Sequence, residues 1–326
     1  MIKYREKTTE ASLARQREII EIAVSHNQLP LFKENTNSTE RWCTLFKTFE
    51  KLYERVLNFK VRCDDVFLVG FMKCGNTWMN ETLWQLLNCL DFHYERKIDD
   101  KIKLFLEINC WYPTHPDAFL EFDQLRGRRV IHTHLPASLL PKQLWEKKPK
   151  IVYMARNVKD VVVSTYHFMI MMNEYSGSID EFVQDFMKNN IIYTSFWAHV
   201  VEFWKLRHEP NIFFITYEEM KRDLAGVIQK LCIFLEIPKL TEVELKKLIE
   251  HLSFEKMKVN KVTNPSLILQ NKSNISINAN TDFMRRGIVG SYKDELTDEH
   301  QRQLNEWSRC FLEKHGIKEE DIFGNF

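Results

Sequence analysis

A lysine, a glycine and a hydroxyl set between a buried strand and a helix make a natural seat for a phosphate. The stretch FLVGFMKCGNTWMNETLWQLL, Phe67 to Leu87, begins apolar and strand-like and passes through Met72-Lys73-Cys74-Gly75-Asn76-Thr77. It then continues with apolar positions at Met79, Leu83, Leu86, Leu87 and Leu90, a helical spacing. A turn at a helix start offers unpaired N–H groups and the positive end of the helix dipole. Gly75 lets the backbone approach closely, Lys73 adds a charge, and Asn76 and Thr77 add donors. The lysine precedes the single glycine, which departs from the G-x-x-x-x-G-K-[ST] pattern. An ordinary strand–turn–helix connection reads equally well from this stretch alone.

Three further stretches carry candidate chemistry. In RRVIHTHLPASLLP, His132 and His134 point to one face of a strand that Pro136 closes. They read either as packed histidines or as a general base at the strand's end; no third residue completes a metal-ligand pattern. In YMARNVKDVVVSTYHF, Arg156 follows an apolar strand and Ser164 lies eight residues on. Together they suit a bidentate phosphate contact, or a surface ion pair. In DFMRRGIVGSYKDELT, Arg285-Arg286-Gly287 is either a solvated basic turn or a closure over an anion.

The elements that must position these residues alternate. Short apolar runs, DVFLVGF, RRVIHTHL, KIVYMAR and NIFFITY, are separated by helical stretches, the signature of an α/β fold with a parallel sheet flanked by helices. In such a sheet, ligands bind beyond the carboxyl ends of the strands. Helices are expected at Ile179–Lys188, Thr194–Arg207, Glu218–Leu235 with a weak point at Gly226, Glu242–His251 and Asp298–His315. Residues 1–60 read as a helical extension, with a polar break at Asn35 to Thr39, packed on a single domain at 61–326. The asparagine-rich stretch from Val259 to Asp282 reads as a long loop.

The bulk numbers set limits. With 326 residues, 44% hydrophobic and 28% charged, the chain has the composition of an ordinary globular protein with a full core. A formal net charge of +1 argues against a general nucleic-acid or anionic-membrane binder, so any anion site must be local. No apolar run is long enough to span a bilayer, and the first residues show neither a secretory nor a transit pattern. Seven scattered cysteines with no CxxC pair point to reduced thiols and a cytoplasmic location. The sequons at Asn37, Asn271 and Asn274 then carry no glycan.

Taken together and in this order, the four stretches closely resemble the cytosolic sulfotransferase family, most of all its arthropod members. The similarity runs from about Asp64 to Glu299: FMKCGNTW stands for a YPKSGTTW-like loop, IHTHLP for KTHLP, ARNVKDVVVSTYHF for RNPKDVAVSYYHF, and FMRRGIVGSYK for F-R-K-G-x-x-G-D-W-K. The resemblance implies a P-loop-like fold and 3′-phosphoadenosine-5′-phosphosulfate as sulfuryl donor, without a metal. It implies that Lys73, Cys74, Gly75, Asn76, Thr77 and Trp78 cradle the phosphosulfate end, and that Arg156, Ser164 and the turn Arg285, Arg286 and Gly287 hold the 3′-phosphate. Trp78 and Phe254 would enclose the adenine, with Tyr217, Leu252, Met257, Phe283 and Met284 as further nucleotide contacts. His134, with an unperturbed pKa of about 6.5, would be the base, and Lys73 would stabilise the leaving phosphate. Phe71, Trp111, His132, Phe168, Met169 and Met172 would line a pocket for a small lipophilic alcohol, phenol or amine.

Several positions depart from the family. Cys74 and Asn76 replace a serine and a threonine, while Leu252 stands where a threonine is usual. His132 replaces a lysine, which predicts slower turnover or a greater acid requirement. KDELTDEHQR keeps Lys293 and Thr297 of the family's dimer segment but not the rest, which puts the usual homodimer in doubt. A slow or non-catalytic nucleotide- or lipophile-binding member, a retinol-dehydratase-like variant and a nucleotide kinase on a related fold are the alternatives.

Overall fold

Buried apolar runs rich in β-branched and aromatic residues build the central sheet. The strands are β4 (Val66–Val69), β5 (Val130–Thr133), β6 (Lys150–Ala155) and β7 (Ile212–Thr216). They pair in the order β5-β4-β6-β7, all parallel, with Val66 opposite both Val130 and Lys150 and Ile151 opposite Ile212. Both faces are covered by helices, so β4 is buried along its whole length. This is the computed structural model of the chain, and it describes residues 2–6, 18–24, 42–92, 104–113, 117–264, 266 and 282–324. Among them no helix is long and apolar enough to cross a membrane.

Each strand delivers the chain to the same edge. The turn after β4 leads into helix α1 (Asn76–Leu87), β5 runs into His134, and β6 runs into Arg156 and helix α3 (Val158–Met171); β7 runs into Tyr217 and helix α4 (Tyr217–Arg222). Between β4 and β5 lies a short helix, α2 (Ile108–Trp111). It is tied to the sheet edge by a bridge between Phe105 and His132. Helix α5 (Phe254–Val259) faces this edge from the C-terminal part of the chain.

The helical reading of residues 1–60 needs correction. The described part forms a three-stranded antiparallel sheet, β1 (Ile2–Glu6), β2 (Ile19–Val24) and β3 (Cys43–Phe46), followed by a 3-10 turn at Lys47–Lys51 and a short helix at Tyr53–Leu57. Ile19, Ile20, Ile22 and Ala23 are all buried, and a short β-branched run packed on both faces cannot be told from a helix by periodicity. The sheet docks on the domain through Thr44, whose amide donates to Thr194 O at 2.9 Å and whose carbonyl accepts from Tyr193 N at 2.6 Å.

Ile179–Met187, Phe196–Leu206, Glu242–His251 and Asp298–Leu312 form helices near the expected bounds. The helix expected over Glu218–Leu235 breaks at Asp223 instead of Gly226, because the Asp223 carboxylate accepts from Gly226 N at 2.8 Å and caps a new helix, Leu224–Phe234. Most of the asparagine-rich stretch, the break at 35–39 and the sequons at Asn37, Asn271 and Asn274 lie outside the described residues.

Candidate active site

The four strand ends open into one cleft that encloses about 1310 Å³, open solvent at its mouth included. Its floor is the turn after β4. Lys73 (φ 64) and Gly75 (φ 98) both take left-handed backbone, and a Cβ on Gly75 would stand 2.8 Å from the Tyr217 ring. Glycine is therefore required there twice over, by conformation and by space. Gly75, Asn76, Thr77 and Trp78 line the cleft, with α1 beginning at Asn76. The Asn76 side chain turns back and donates from Nδ2 to Phe71 O at 2.9 Å, bracing the turn. Cys74 lies buried behind the turn, outside the cleft lining, and burial pushes its thiol pKa up, as befits a packed group and not a reactive one.

Cations converge from three segments. Arg156, almost buried, donates to Lys73 O at 3.3 Å and Ile288 O at 3.2 Å, and lies 4.3 Å from the Tyr217 ring centroid. Arg285 and Arg286 line the same space, Arg285 bonded to Glu295 and to Ser291 Oγ, Arg286 to Asp294. Burial first, and then Arg156 and Arg285, pull the Lys73 pKa down to about 7. Its Nζ lies 3.8 Å from the Phe283 ring centroid and 4.9 Å from that of Phe168. Beside these cations, Trp78 Nε1 and Arg156 Nε are buried with no hydrogen-bond partner among the described residues. Leu252, Phe254, Met257 and Met284 complete this end, and a Cβ on Gly287 would strike the Phe254 ring at 2.2 Å.

His134 stands where β5 ends. Its Nδ1 lies 2.6 Å from Gly70 O, and a carbonyl can only accept, so Nδ1 carries the proton and Nε2 the lone pair. Burial pulls the imidazole pKa from its ordinary value to about 4, with the Gly70 bond opposing and His199 and Lys73 adding to the fall. The expectation of a base near 6.5 is thus corrected: the ring is neutral across the physiological range because its charged form is poorly solvated. His132 also lines the cleft, stacked on Phe105 at 5.1 Å and edge-on to His134 at 4.5 Å.

Of the residues expected around an acceptor, Trp111 and Phe168 reach the cleft and meet edge-on at 5.7 Å. Phe71, Met169 and Met172 do not. Phe71 packs into the core against Phe186 and Phe196. Ser164 and Phe168 share the cleft face of α3, as residues four apart must, and Met169 is turned away from it. Met172 belongs to a small buried cluster with Met171, behind Phe168 and Phe283.

The structure adds residues that the motifs did not single out: Met72, Phe105, Ile108, Tyr112, Lys221 and Ser291 line the cleft. Asp160 is another. Wholly buried, it pairs with Arg156 at 3.7 Å and accepts from Gly290 N, Ser291 Oγ and Tyr292 N at 2.7, 3.0 and 3.2 Å, pinning the basic turn to α3. The four-residue row Arg156, Asp160, Ser164, Phe168 was the available signal for it.

Comparison with known proteins identifies the family. The sulfotransferase domain family matches residues 63–317. Rat sulfotransferase 1E1 is 35% identical over 268 residues, 80% of this chain and 87% of that protein. The luciferin sulfotransferase of the firefly Photinus pyralis is 33% identical over 273 residues, 78% and 74% of the two chains. Among solved structures, a retinol dehydratase in complex with androsterone and the inactive cofactor PAP superimposes with a TM-score of 0.79 at 22% identity, covering 98% of both chains. A mouse sulfotransferase complexed with PAP does so with a TM-score of 0.66 at 25% identity, covering 88% of this chain and 95% of that one. The chain belongs to the sulfotransferase family and is a sulfotransferase enzyme.

Proposed function

We propose that this chain moves a sulfuryl group from 3′-phosphoadenosine-5′-phosphosulfate to the hydroxyl or amine of a small lipophilic acceptor in the cytoplasm, with His134 as general base. The observation that carries the reading is the pairing of a proton-accepting His134 Nε2 with a cluster of cations in one cleft. The residues present fit such a donor. Gly75 leaves room for close backbone approach, and Arg156 Nε and Trp78 Nε1 are buried donors with hydrogen bonds still to make. When bound, the donor supplies an activated sulfuryl group on a phosphate leaving group.

The chain's own residues do the rest by position and charge. Backbone amides of Gly75, Asn76 and Thr77 and the Lys73 ammonium would hold the phosphosulfate end, with Arg156, Ser164 and Arg285 to Gly287 on the 3′-phosphate. Trp78 and Phe254 would take the adenine. His134 Nε2 removes the acceptor's proton, and Gly70 O keeps the ring in the tautomer that can do so. An anion bound beside Lys73 favours its ammonium, which would place a cation where charge grows on the leaving oxygen. Phe105, Ile108, Trp111, Tyr112 and Phe168 offer an apolar, aromatic wall to the acceptor.

The experiment is His134→Ala. Turnover should fall on the order of 10²–10⁴-fold while nucleotide affinity is retained. Near-normal turnover would remove His134 from the role.

A further inference from the structure

A carboxylate that no part of this mechanism has used lies directly behind the base. Glu107 is wholly buried, at the start of α2, and its two oxygens are both engaged. Oε1 accepts from the His134 amide at 2.6 Å, and Oε2 accepts from Thr133 Oγ1 at 2.8 Å. Thr133 Oγ1 in turn accepts from Leu135 N at 3.1 Å, so one side chain fixes three successive residues where β5 ends. The Tyr193 hydroxyl accepts from Trp111 Nε1 at 2.8 Å and stands close enough to Glu107 to lower its pKa. Glu107, bonded to the backbone of His134, and Trp111, bonded to Tyr193, thus belong to one short segment, and the Tyr193 ring lies 5.3 Å from the imidazole.

We infer that Glu107 is the positioning residue of the reaction: its carboxylate clasps Thr133 and His134 so that the imidazole reaches Gly70 O, and it locks the acceptor wall of α2 to the base. The inference rests on the reading of His134 as the base. The His134 amide falls at the end of its strand, where β5 no longer supplies a sheet partner, and a buried N–H without an acceptor is costly. Glu107 supplies that acceptor from the same segment that carries Ile108 and Trp111, so base and wall cannot shift independently. A misplacement of about 1 Å at a reacting group is enough to lower turnover about 10²-fold. Burial raises the Glu107 pKa to about 7 against the bonds from His134, Thr133 and Tyr193 that lower it, as expected of a carboxylate kept for its acceptors and not for its charge.

Two variants separate reach from charge. Glu107→Gln keeps the length and one carbonyl oxygen for the His134 amide, whereas Glu107→Asp keeps the charge and withdraws it by one methylene. The expected result is that Glu107→Gln retains most of the turnover. Glu107→Asp should lose on the order of 10–100-fold with nucleotide affinity unchanged, and the ¹⁵N signals of His134 should move from a single Nδ1–H tautomer toward a mixture. A merely structural role would lower nucleotide affinity and turnover together and leave the tautomer alone. Wild-type turnover in Glu107→Asp, or a parallel loss of nucleotide affinity, would overturn the inference. His134→Ala in the same series tells the two ideas apart: full turnover there sinks the base itself, whatever Glu107 does.

Discussion

At one end of the cleft the lining is Trp78, Arg156, Tyr217, Lys221, Phe254 and the basic turn, and at the other it is Phe105, Ile108, Trp111, Tyr112 and Phe168. The first end is held by charge: Asp160 ties Arg156 to the turn at 290–292, and Tyr217 lies beneath the guanidinium. The second end is held by ring packing and by buried hydrogen bonds, Trp111 to Tyr193 and Glu107 to Thr133 and His134. Lys73 and His134 sit between, each with its charged form disfavoured by burial. The difference implies that the two ends can be damaged separately. A change at the charged end should be felt by the nucleotide, and a change at the aromatic end by the acceptor.

The largest separation is expected from Arg156→Ala. A hydrogen bond to a charged group contributes about 1.5–3 kcal/mol, so affinity for the 3′-phosphorylated nucleotide should fall on the order of 10–100-fold. Affinity for its 3′-hydroxyl analogue should change far less, and calorimetry with both ligands decides it. Equal losses would refute the phosphate assignment.

A crossed pair sharpens the contrast further. Phe254→Ala should weaken nucleotide binding by about 1–3 kcal/mol, the range for one base–aromatic stack, and leave the acceptor KM alone. Phe168→Ala should raise the acceptor KM by a comparable factor, about 1–3 kcal/mol for lost apolar pocket contacts, and leave nucleotide affinity alone. If either variant moves both constants together, the division into two ends fails.

The smallest effect is a proton. Burial first, and Arg156 and Arg285 next, pull the Lys73 pKa down to about 7. An anion beside it favours the ammonium and raises that value. Above pH 7 nucleotide binding should therefore take up part of a proton, and affinity should rise as pH falls toward 7. Calorimetry in two buffers of different ionisation enthalpy measures the uptake, and Lys73→Met should abolish it. Binding with no proton exchange in the native chain would contradict the placement of Lys73.

The same contrast explains what was legible in the sequence. Lys73, Arg156 and Gly75 interrupt apolar runs at the ends of strands, and a charge or a glycine in such a place needs a reason. The acceptor end offers no such interruption. Phe71, Met169 and Met172 are large apolar residues like Trp111 and Phe168, and whether such a side chain faces a cavity or the core is decided by packing between distant segments. Phe105, Ile108 and Tyr112 come from a segment with no motif, brought to the site by the bridge between Phe105 and His132 and by the bonds of Glu107 to Thr133 and His134. Glu107 is hidden for another reason: it acts on the backbone of a remote segment, and no local spacing announces an acceptor for a distant amide; Asp160 does the same for the turn at 290–292, and only its place in the row with Arg156 and Ser164 hints at it. The N-terminal strands were missed because IIEIAV satisfies a helical and an extended pattern alike, and pairing with neighbouring strands settles the matter.

The most direct measurement is transfer itself. The protein is loaded with donor carrying a labelled sulfuryl group, offered a panel of lipophilic phenols, alcohols and amines, and the label is followed. Label appearing on a lipophilic acceptor is the predicted result. Tight retention of the nucleotide with no label leaving it, for any acceptor offered, would contradict the account and describe a protein that binds without transferring.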